Sequence, residues 1–213
     1  RRAHPDAVIA VCGCYSQVKP GDAASYADLV LGTRNKMKAV LGAEAFYRGE
    51  PFRGVDVSDP ADCPYEALSA PHTDRTRAFV KIEDGCDGKC AYCLIRKARG
   101  PVVSRPEDEI VAELERLYDA GYPEVVFTGI EISAYGRDTG TDLLSLLGRL
   151  KDVKHPPRVR LSSTDPAWLR PEVAERVMAV SKSFNIDAQV VGHIEEGARS
   201  LTIKSEFGEF QYQ

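Results

Sequence analysis

The sequence predicts an α/β protein, because short apolar strands alternate with amphipathic helices along most of the chain. The polar motifs that could carry chemistry stand directly after predicted strands, as in parallel sheets and barrels whose functional residues collect at the carboxyl ends of the strands. Four parts are expected: an N-terminal α/β unit in residues 1–48, a linker in 49–76, part of a (βα) barrel in 77–180 and a short β-hairpin tail in 181–213.

The N-terminal unit is predicted from two apolar strands and one helix. Residues 7–12 and 27–31 are short apolar runs that each end at a glycine, as buried parallel strands often do. Residues 14–17 are expected on a turn between them. Residues 33–41 are predicted as a helix whose first turn is capped by Thr33.

The linker is predicted from its composition, because four prolines fall between residues 44 and 78 and no hydrophobic period is visible there. Some extended structure is expected at residues 55–57. Cys63 lies in the same stretch, matches no motif and is expected to have a structural role.

The barrel part begins with a strand and a long helix. The apolar run 79–82 is expected to be a strand that ends in a turn at residues 83–85. Ser104 and Glu107 have the spacing of a capping box at the start of a helix that ends at Gly121. The apolar positions with helical spacing in that helix are Ile110, Val111, Leu114, Leu117 and Tyr118.

Two further strand–helix pairs follow in the same part of the chain. Residues 125–127 and 159–161 are short apolar runs that predict strands. The leucines of residues 143–150 and the apolar positions of residues 173–178 predict the helices. The pattern therefore gives repeated βαβ units, which build a barrel or a doubly wound sheet.

Three cysteines, Cys86, Cys90 and Cys93, follow the first barrel strand in a C-x3-C-x2-C spacing. A tight loop can turn three thiolates toward one point, which an iron–sulfur cluster requires, and three ligands leave one iron free for another molecule. A structural zinc site or ordinary buried thiols are the alternatives. Zinc needs a fourth ligand, whereas His72 lies upstream of the strand and the next histidine is His155.

Composition narrows the classes of function. The net charge of −4 argues against a generally basic nucleic-acid-binding protein. No apolar run approaches the length of a membrane span, and no signal peptide opens the sequence. Cysteines grouped as metal ligands indicate a reducing cytoplasm. The first residue is not methionine, so the chain is expected to be the middle of a longer protein.

A basic patch beside the cysteines could attract RNA in spite of the acidic total charge. Arg96, Lys97, Arg99 and Arg105 follow the third cysteine and would raise the local positive potential. A solvated cationic loop explains the same residues equally well.

The cysteine spacing, with Tyr92 just before the third cysteine, resembles the signature of radical S-adenosylmethionine (SAM) enzymes. Other segments narrow the resemblance to the methylthiotransferase family: KIEDGCDGKCAYC, ARGPVVSRP, VVFTGIEISAYGRD and RLSSTDP. Within that family they are most similar to the branch that acts on threonylcarbamoyladenosine in tRNA. The resemblance covers roughly residues 6–180.

The resemblance implies a cofactor set and a reaction. Cys86, Cys90 and Cys93 would hold a 4Fe–4S cluster whose free iron binds SAM. Reductive cleavage of SAM would give a radical that takes a hydrogen from the adenine ring, and a methylthio group would then be delivered to that carbon. The further cofactor contacts that it implies are Tyr92, Gly129, Glu131 and Ser162.

Cys14 lies in GCYSQ, which resembles the third cysteine motif of the methylthiotransferase N-terminal domain. The resemblance implies that Cys14 ligates an auxiliary 4Fe–4S cluster whose other ligands would precede Arg1. A buried thiol at a strand end is the alternative. The chain is therefore expected to cleave SAM without transferring a methylthio group.

The expected partners are tRNA and an electron donor such as flavodoxin or ferredoxin, in the cytoplasm and without a membrane. Alternative substrates are isopentenyladenosine in tRNA and an aspartate of a ribosomal protein, and a non-catalytic fragment or fusion is a further alternative. In the tail, alternating residues in 188–194 and 201–203 predict a hairpin around residues 196–197. Residues 181–213 resemble the carboxy-terminal end of phosphoribosylformylglycinamidine cyclo-ligase, which implies nothing about activity.

Overall fold

The computed structural model describes residues 4–34, 36–51, 54–63, 65, 76–190, 201–206 and 208–212. Within them the strands are β1 Ala10–Val11, β2 Leu29–Leu31, β3 Gly54–Asp56, β4 Arg77–Lys81, β5 Glu83–Asp84, β6 Val103–Ser104, β7 Glu124–Thr128, β8 Arg158–Leu161, β9 Leu201–Ser205 and β10 Gly208–Tyr212. The helices are α1 Cys14–Val18, α2 Pro20–Ala24, α3 Met37–Tyr47, α4 Ile95–Arg99, α5 Glu107–Asp119, α6 Leu143–Arg149 and α7 Pro171–Ser183. Of the helices in these ranges, none is both long and apolar enough to cross a membrane.

A small parallel sheet forms the N-terminal part, with strand order β1-β2-β3. The central strand β2 is buried along its whole length, because it has a neighbour on each side and consists only of leucine and valine. β3 comes from the stretch predicted as linker, and its Val55 belongs to the extended segment expected there. This strand therefore adds part of the predicted linker to the N-terminal sheet.

The turn expected at residues 14–17 is wrong, because α1 begins at Cys14. Ser16 is fully buried, and its hydroxyl lies 3.1 Å from the backbone oxygen of Gly13 and 2.5 Å from that of Leu31. These contacts fix the first turn of α1 against the end of β2. They join residues that are distant in sequence, so the local pattern did not reveal them.

The helix predicted at residues 33–41 exists, but it begins at Met37 and ends at Tyr47. Thr33 does not cap it. Its hydroxyl instead donates a hydrogen bond of 2.7 Å to the backbone oxygen of Ala98, in α4. A tertiary acceptor has replaced the local capping interaction that the sequence suggested.

The second sheet has the strand order β4-β7-β8, and both of its pairings are parallel. α5 lies between β4 and β7 in the chain, and α6 lies between β7 and β8. The predicted alternation of strands and helices is therefore confirmed, and with it the α/β fold class.

The core lies between this sheet and its helices. Val80, Val125 and Phe127 from the strands have no exposed surface, and neither do Ile110 and Leu114 from α5. The helical spacing read from the sequence thus identified most of the inward face of α5, but Tyr118, which the same spacing includes, is exposed. The remaining buried members of this core are Ile82, Leu117, Tyr122, Ile132, Tyr135, Leu143, Leu146, Leu150 and Val153.

Two local predictions around β5 and β6 are wrong. Glu83 does not enter a turn, because β5 pairs with β6 in an antiparallel ladder that places Glu83 opposite Ser104. Ser104 does not form a capping box with Glu107 either. The residue that precedes α5 is Pro106, with no side-chain cap, and the Ser104 hydroxyl accepts a 2.8 Å hydrogen bond from the N–H of Gly136.

The hairpin in the tail is formed by β9 and β10, with Leu201 opposite Tyr212 and Ile203 opposite Phe210. The predicted pairing of residues 201–203 with residues 188–194 stays a prediction, because residues 191–194 lie outside the described residues. Apolar residues alternate along both β9 and β10, and the connection between these two strands is much shorter than the predicted one. A short connection favours the pairing that is observed. The turn predicted at residues 196–197 lies outside the described residues.

Candidate functional site

The candidate site lies at the edge where β4, β7 and β8 end, because parallel strands present their carboxyl ends on one side. We define the strand-end rim as the segments that follow these strands, residues 83–86, 129–131 and 162–165. A carboxyl oxygen of Glu83 accepts a 2.6 Å hydrogen bond from the N–H of Glu131. A carboxyl oxygen of Glu131 accepts a 3.1 Å hydrogen bond from the N–H of Asp165. The three segments are thus joined to one another.

The cysteine loop, residues 86–93, follows β5 directly. The N–H of Cys86 donates a 3.1 Å hydrogen bond to the backbone oxygen of Gly100, and the N–H of Cys93 donates one of the same length to the backbone oxygen of Cys90. Cys86 is half-buried, whereas Cys90 and Cys93 are exposed. As the sequence predicts, the three cysteines lie on a loop after the strand.

Gly88 keeps the space between two of the thiols open. Its N–H donates a 3.3 Å hydrogen bond to Cys86 Sγ. A Cβ atom on Gly88 would lie 3.1 Å from Cys86 Sγ and 4.0 Å from Cys90 Sγ, so a side chain there would crowd the Cys86 sulfur and touch that of Cys90. The sulfurs of Cys86 and Cys90 therefore face a common space beside a residue that has no side chain.

The donor set fits a cluster better than a single ion. In the part of the chain that the structure describes, no three Cys, His, Asp or Glu side chains converge as a single metal ion requires. The expected convergence of the three thiolates on one point is therefore not observed in this structure. Because each cysteine of a 4Fe–4S site binds a different iron, a cluster accepts sulfurs that lie further apart than the ligands of one ion. Three accessible thiols on one loop, with Gly88 between two of them, fit a 4Fe–4S cluster.

Asp84 lies next to the cysteine loop and is surrounded by cations. It is 1% exposed, and its carboxyl group accepts a 2.6 Å hydrogen bond from Lys81 Nζ and one of 3.0 Å from Arg99 Nη1. Arg34 Nε lies 3.8 Å from Oδ2 of Asp84, the oxygen that also accepts the hydrogen bond from Lys81. We call these four side chains the Asp84 cluster. They join the N-terminal part, through Arg34, to the residues just before Cys86.

The Asp84 cluster holds its carboxyl group in the charged form. Burial raises the pKa of Asp84, but the hydrogen bond and charge of Lys81 and the charges of Arg34 and Arg99 outweigh that effect and lower the pKa. Two N–H groups of the Arg34 guanidinium, Nε and Nη1, have no hydrogen-bond partner although the residue is 4% exposed. Burial of this guanidinium is compensated by the charge of Asp84 and by a 3.1 Å hydrogen bond that Nη2 donates to the backbone oxygen of Arg99.

Glu83 is the other acidic residue of β5, directly before Asp84, and it has no exposed surface. One of its oxygens, Oε1, accepts hydrogen bonds from the N–H groups of Ile130 and Glu131, whereas Oε2 is buried without a partner. Burial raises the pKa of Glu83 to about 7, and the two backbone hydrogen bonds only partly oppose this rise.

Gly129 and Glu131 belong to the rim segment after β7. The space in which a Gly129 side chain would stand is taken by the Glu83 carboxylate, so a glycine is needed here to accommodate Glu83. The approach of the Gly129 backbone to a cofactor stays a prediction. Glu131 Oε1 accepts hydrogen bonds from the N–H and the hydroxyl of Ser133 as well as from Asp165. The Glu131 carboxylate therefore orders the rim in this structure.

Tyr92 and Ser162 are both accessible. Tyr92 lies in the cysteine loop and is 91% exposed. Ser162 follows β8, is half-buried, and donates from its N–H to the backbone oxygen of Phe127 at 3.0 Å. That bond continues the β7–β8 ladder and brings Ser162 to the same rim as Glu131.

Cys14 lies apart from the cysteine loop, at the start of α1. α1 packs against α4, and a cavity of about 350 Å³ between them is lined by Cys14, Tyr15, Val18, Lys19, Leu94, Ile95 and Ala98. Arg99 lies beside the Cys14 thiol while it also pairs with Asp84. One guanidinium group thus contacts Cys14 on one side and the residue that precedes the cysteine loop on the other.

The predicted basic patch is wrong for two of its four residues. Arg105 is buried and forms ion pairs with Glu109 and Glu113, and Arg99 is held by Asp84. These charges are neutralised inside the protein, which local sequence cannot show. The other two residues, Arg96 and Lys97, are exposed on α4.

Glu83, Asp84 and Arg34 are functional-site residues that the sequence does not predict. The sequence does contain a signal for Glu83 and Asp84, because this acidic pair directly follows an apolar strand. Carboxylates are uncommon next to a buried strand unless they have partners. The partners come from distant positions, and no local pattern indicates them.

Comparison with known proteins identifies the family. The model of the radical SAM superfamily matches residues 80–193. The threonylcarbamoyladenosine tRNA methylthiotransferase MtaB of Bacillus subtilis is 41% identical over 86% of this chain and 42% of its own length. The protein of the same name from Thermotoga maritima is 33% identical over 94% of this chain and 44% of its own length. A tRNA-2-methylthio-N(6)-dimethylallyladenosine synthase of Clostridium perfringens is 29% identical over 94% of this chain and 46% of its own length.

A solved structure supports the fold. The radical S-adenosylmethionine methyltransferase TsrM of Kitasatospora setae, determined with cobalamin and a [4Fe-4S] cluster, superposes with a TM-score of 0.56 at 18% identity, over 82% of this chain and 41% of that chain. The chain spans less than half the length of the curated relatives described above. The match of the family model over residues 80–193 and the parallel β4-β7-β8 sheet inside that range show that this chain belongs to the radical SAM superfamily.

Proposed function

We propose that this chain is the cluster-binding part of a tRNA methylthiotransferase that acts on threonylcarbamoyladenosine. The observation that carries the proposal is the cysteine loop, which presents three accessible thiols beside the ends of three parallel strands. The relatives named as threonylcarbamoyladenosine methylthiotransferases, at 41% and 33% identity, support the reaction.

In this proposal Cys86, Cys90 and Cys93 are the ligands of a 4Fe–4S cluster. When bound, the cluster would supply the electron for reductive cleavage of SAM, in keeping with the chemistry of the superfamily. The role of the chain is to keep the three thiols accessible and correctly spaced. Gly88 contributes by leaving the space beside Cys86 and Cys90 free, and its N–H stabilises the Cys86 sulfur as a hydrogen-bond acceptor.

The strand-end rim is the proposed place for SAM, because functional groups of parallel α/β proteins lie at this edge. Glu131 and Ser162 are proposed as polar contacts, since both lie on the rim. Tyr92 is proposed to lie over the cofactor, because it projects from the cysteine loop and is almost fully exposed. Gly129 is proposed to contribute through its backbone, since its side-chain space is taken by Glu83.

Cys14 is proposed as a ligand of a second, auxiliary cluster whose other ligands lie elsewhere in the protein. Its place at the start of α1, beside the Arg99 guanidinium, supports this role, because a cation there would offset the negative charge of a cluster-bound sulfur. We also propose that the electron comes from a flavodoxin or ferredoxin and that the protein works in the cytoplasm.

The first experiment tests the cluster. The purified chain is reconstituted with iron and sulfide without oxygen, and four irons per chain are expected, with the spectrum of a 4Fe–4S cluster. Incubation with SAM and dithionite should release 5′-deoxyadenosine. Cys90→Ala should abolish both results, whereas the matched exposed-cysteine control, Cys12→Ser, should leave them unchanged. Failure of the intact chain to bind iron would overturn the proposal.

The second experiment tests the substrate in a cell that carries the gene. Deletion of the gene should remove 2-methylthio-threonylcarbamoyladenosine from digested tRNA, as measured by mass spectrometry. The methylthio derivative of dimethylallyladenosine should remain. Loss of the latter nucleoside alone would favour the activity named for the Clostridium perfringens relative. Re-expression with Cys90→Ala should fail to restore the product.

A further inference from the structure

Glu83 has properties that the proposed cofactor residues do not account for. It is a carboxylic acid with no exposed surface, three positions before Cys86. Burial of a carboxyl group is costly unless hydrogen bonds compensate, and only one of its two oxygens has partners. A residue of this kind is kept at such a position when its hydrogen bonds are structurally or functionally needed.

The partners of Glu83 lie on the neighbouring rim segment. Oε1 accepts from two successive backbone N–H groups, those of Ile130 and Glu131. Ile130 is separated from Glu83 by 47 positions in the sequence. One oxygen therefore joins the segment before the cysteine loop to the segment after β7.

Gly129 makes this contact possible. A Cβ atom at this position would collide with Oε1 and with the rest of the Glu83 carboxyl group. The glutamate at 83 and the glycine at 129 therefore work as one unit. Any side chain at 129 would displace either the carboxylate or the rim segment.

The connection continues to the third strand through Glu131. The Glu131 carboxylate accepts hydrogen bonds from Ser133 and from the N–H of Asp165, which follows β8. Two carboxylates, Glu83 and Glu131, thus link the segments that follow β4, β7 and β8. Displacement of Glu83 would release the middle segment from the segment that carries the cysteines.

We propose that Glu83 is a positioning residue that fixes residues 129–131 relative to the cysteine loop and thereby sets the affinity for SAM. This inference rests on the proposed function of the site. Glu83 acts through the backbone of Ile130 and Glu131 and not by contact with the cofactor. The acceptor oxygen, rather than the negative charge, is what the arrangement requires.

The first test is made on the protein without cofactors, by hydrogen exchange of individual amides. Glu83→Leu should speed exchange at Ile130 and Glu131 by about tenfold or more, because their acceptor is removed. Glu83→Gln should retain slow exchange, since its amide oxygen can replace Oε1. Glu115→Leu, a matched change at an exposed glutamate of α5, should alter neither amide. Equal exchange in wild type and Glu83→Leu would overturn the proposal.

The second test measures SAM binding to the reconstituted chain. Glu83→Leu should raise the dissociation constant by about tenfold, as expected for the loss of hydrogen bonds that order the site. At saturating SAM the rate of deoxyadenosine release should change much less. Glu83→Gln should restore the affinity, and Gly129→Ala should reproduce the defect of Glu83→Leu with the glutamate still present.

The outcomes separate the two proposals. If the intact chain cleaves SAM but Glu83→Leu binds it with normal affinity, the role of Glu83 is wrong and the proposed function stands. If the intact chain binds no cluster, the proposed function fails, while amide exchange still reports whether Glu83 fixes residues 129–131. If Glu83→Gln loses as much affinity for SAM as Glu83→Leu does, the negative charge of Glu83 matters. That result would overturn the proposal that only its acceptor oxygen is required.

Discussion

Asp84 and Arg34 form a buried ion pair between the N-terminal part of the chain and the strand that leads to the cysteine loop. Arg34 Nε lies 3.8 Å from Asp84 Oδ2, and the two residues are 4% and 1% exposed. Because Asp84 stands two positions before Cys86, this ion pair ties the first proposed cluster ligand to the N-terminal sheet. It also requires that the two parts of the chain fold against each other.

The first prediction concerns this carboxylate. Asp84→Asn should lower the free energy of unfolding by about 3 kcal/mol, because removal of one charge leaves buried cations without compensation. Denaturation in guanidinium chloride measures the change. Asp108→Asn is the matched control, since Asp108 pairs with Arg149 at the surface and its side chain is 87% exposed. The control should cost less than about 1 kcal/mol. Equal effects of the two changes would contradict the importance of the Asp84 cluster.

The second prediction concerns Thr33, whose hydroxyl donates to the backbone oxygen of Ala98. Thr33→Val keeps the shape of the side chain but leaves a buried acceptor unsatisfied, so it should destabilise the protein by about 1–3 kcal/mol. Thr139→Val is the control, because the Thr139 side chain is exposed and its hydroxyl donates a long bond of 3.3 Å to the backbone oxygen of Gly136 in the same loop. Thermal or chemical denaturation of the two variants gives the comparison. A stable Thr33→Val protein would show that this contact adds nothing between the two parts.

The third prediction concerns pH. Burial raises the pKa of Glu83 from 4.5 to about 7, so the folded protein holds this proton more tightly than the unfolded chain. The resulting stability is present below about pH 4.5 and is lost as the pH rises through about 7. Glu83→Gln cannot titrate, so this decline in the free energy of unfolding should be absent in that variant.

Denaturation at several values between about pH 5 and pH 8 tests this prediction. Asp84 and Lys81 are charged neighbours of Glu83. Asp84 has a lowered pKa, and its contribution to stability is lost only as the pH falls below its ordinary value of 3.8, outside this range. Lys81 has a pKa lowered from 10.5 mainly by burial and remains a partner of Asp84. Parallel curves for wild type and Glu83→Gln would contradict the raised pKa of Glu83.

The fold could be predicted well wherever periodicity dominates. The apolar spacing places Ile110 and Leu114 on the inward face of α5, because one hydrophobic stripe determines how a helix packs. Short strands such as β7 were found because apolar runs between turns are rarely anything else in a βαβ pattern. These signals are local, and so a single sequence contains them.

Tertiary hydrogen bonds and buried charges could not be predicted in the same way. Threonine and serine often cap helices, but Thr33 donates to the backbone oxygen of Ala98 and Ser104 accepts from the N–H of Gly136. The sequence predicts a surface patch that includes Arg105, whereas its guanidinium is buried against two glutamates. In each case the competing partner is far away in sequence, and only the fold brings it within hydrogen-bonding distance.

The last prediction concerns tRNA. Arg96 and Lys97 are the exposed members of the predicted basic patch, and they lie on α4, directly after the cysteine loop. If they contact phosphates, Arg96→Gln with Lys97→Gln should weaken tRNA binding and lower the slope of log affinity against log salt by about two. Filter binding at several salt concentrations measures both quantities.

The control for this test is Arg158→Gln. Arg158 is also exposed, with 77% of its side chain accessible, but it begins β8 and so lies at the edge of the sheet opposite the strand-end rim. Its replacement should leave the salt slope unchanged, although each variant lowers the positive charge of the protein. If all three changes reduce binding in proportion to charge alone, the contact is non-specific and α4 does not face the phosphates. If the slope stays the same in the double variant, tRNA approaches the cysteine loop from a different side.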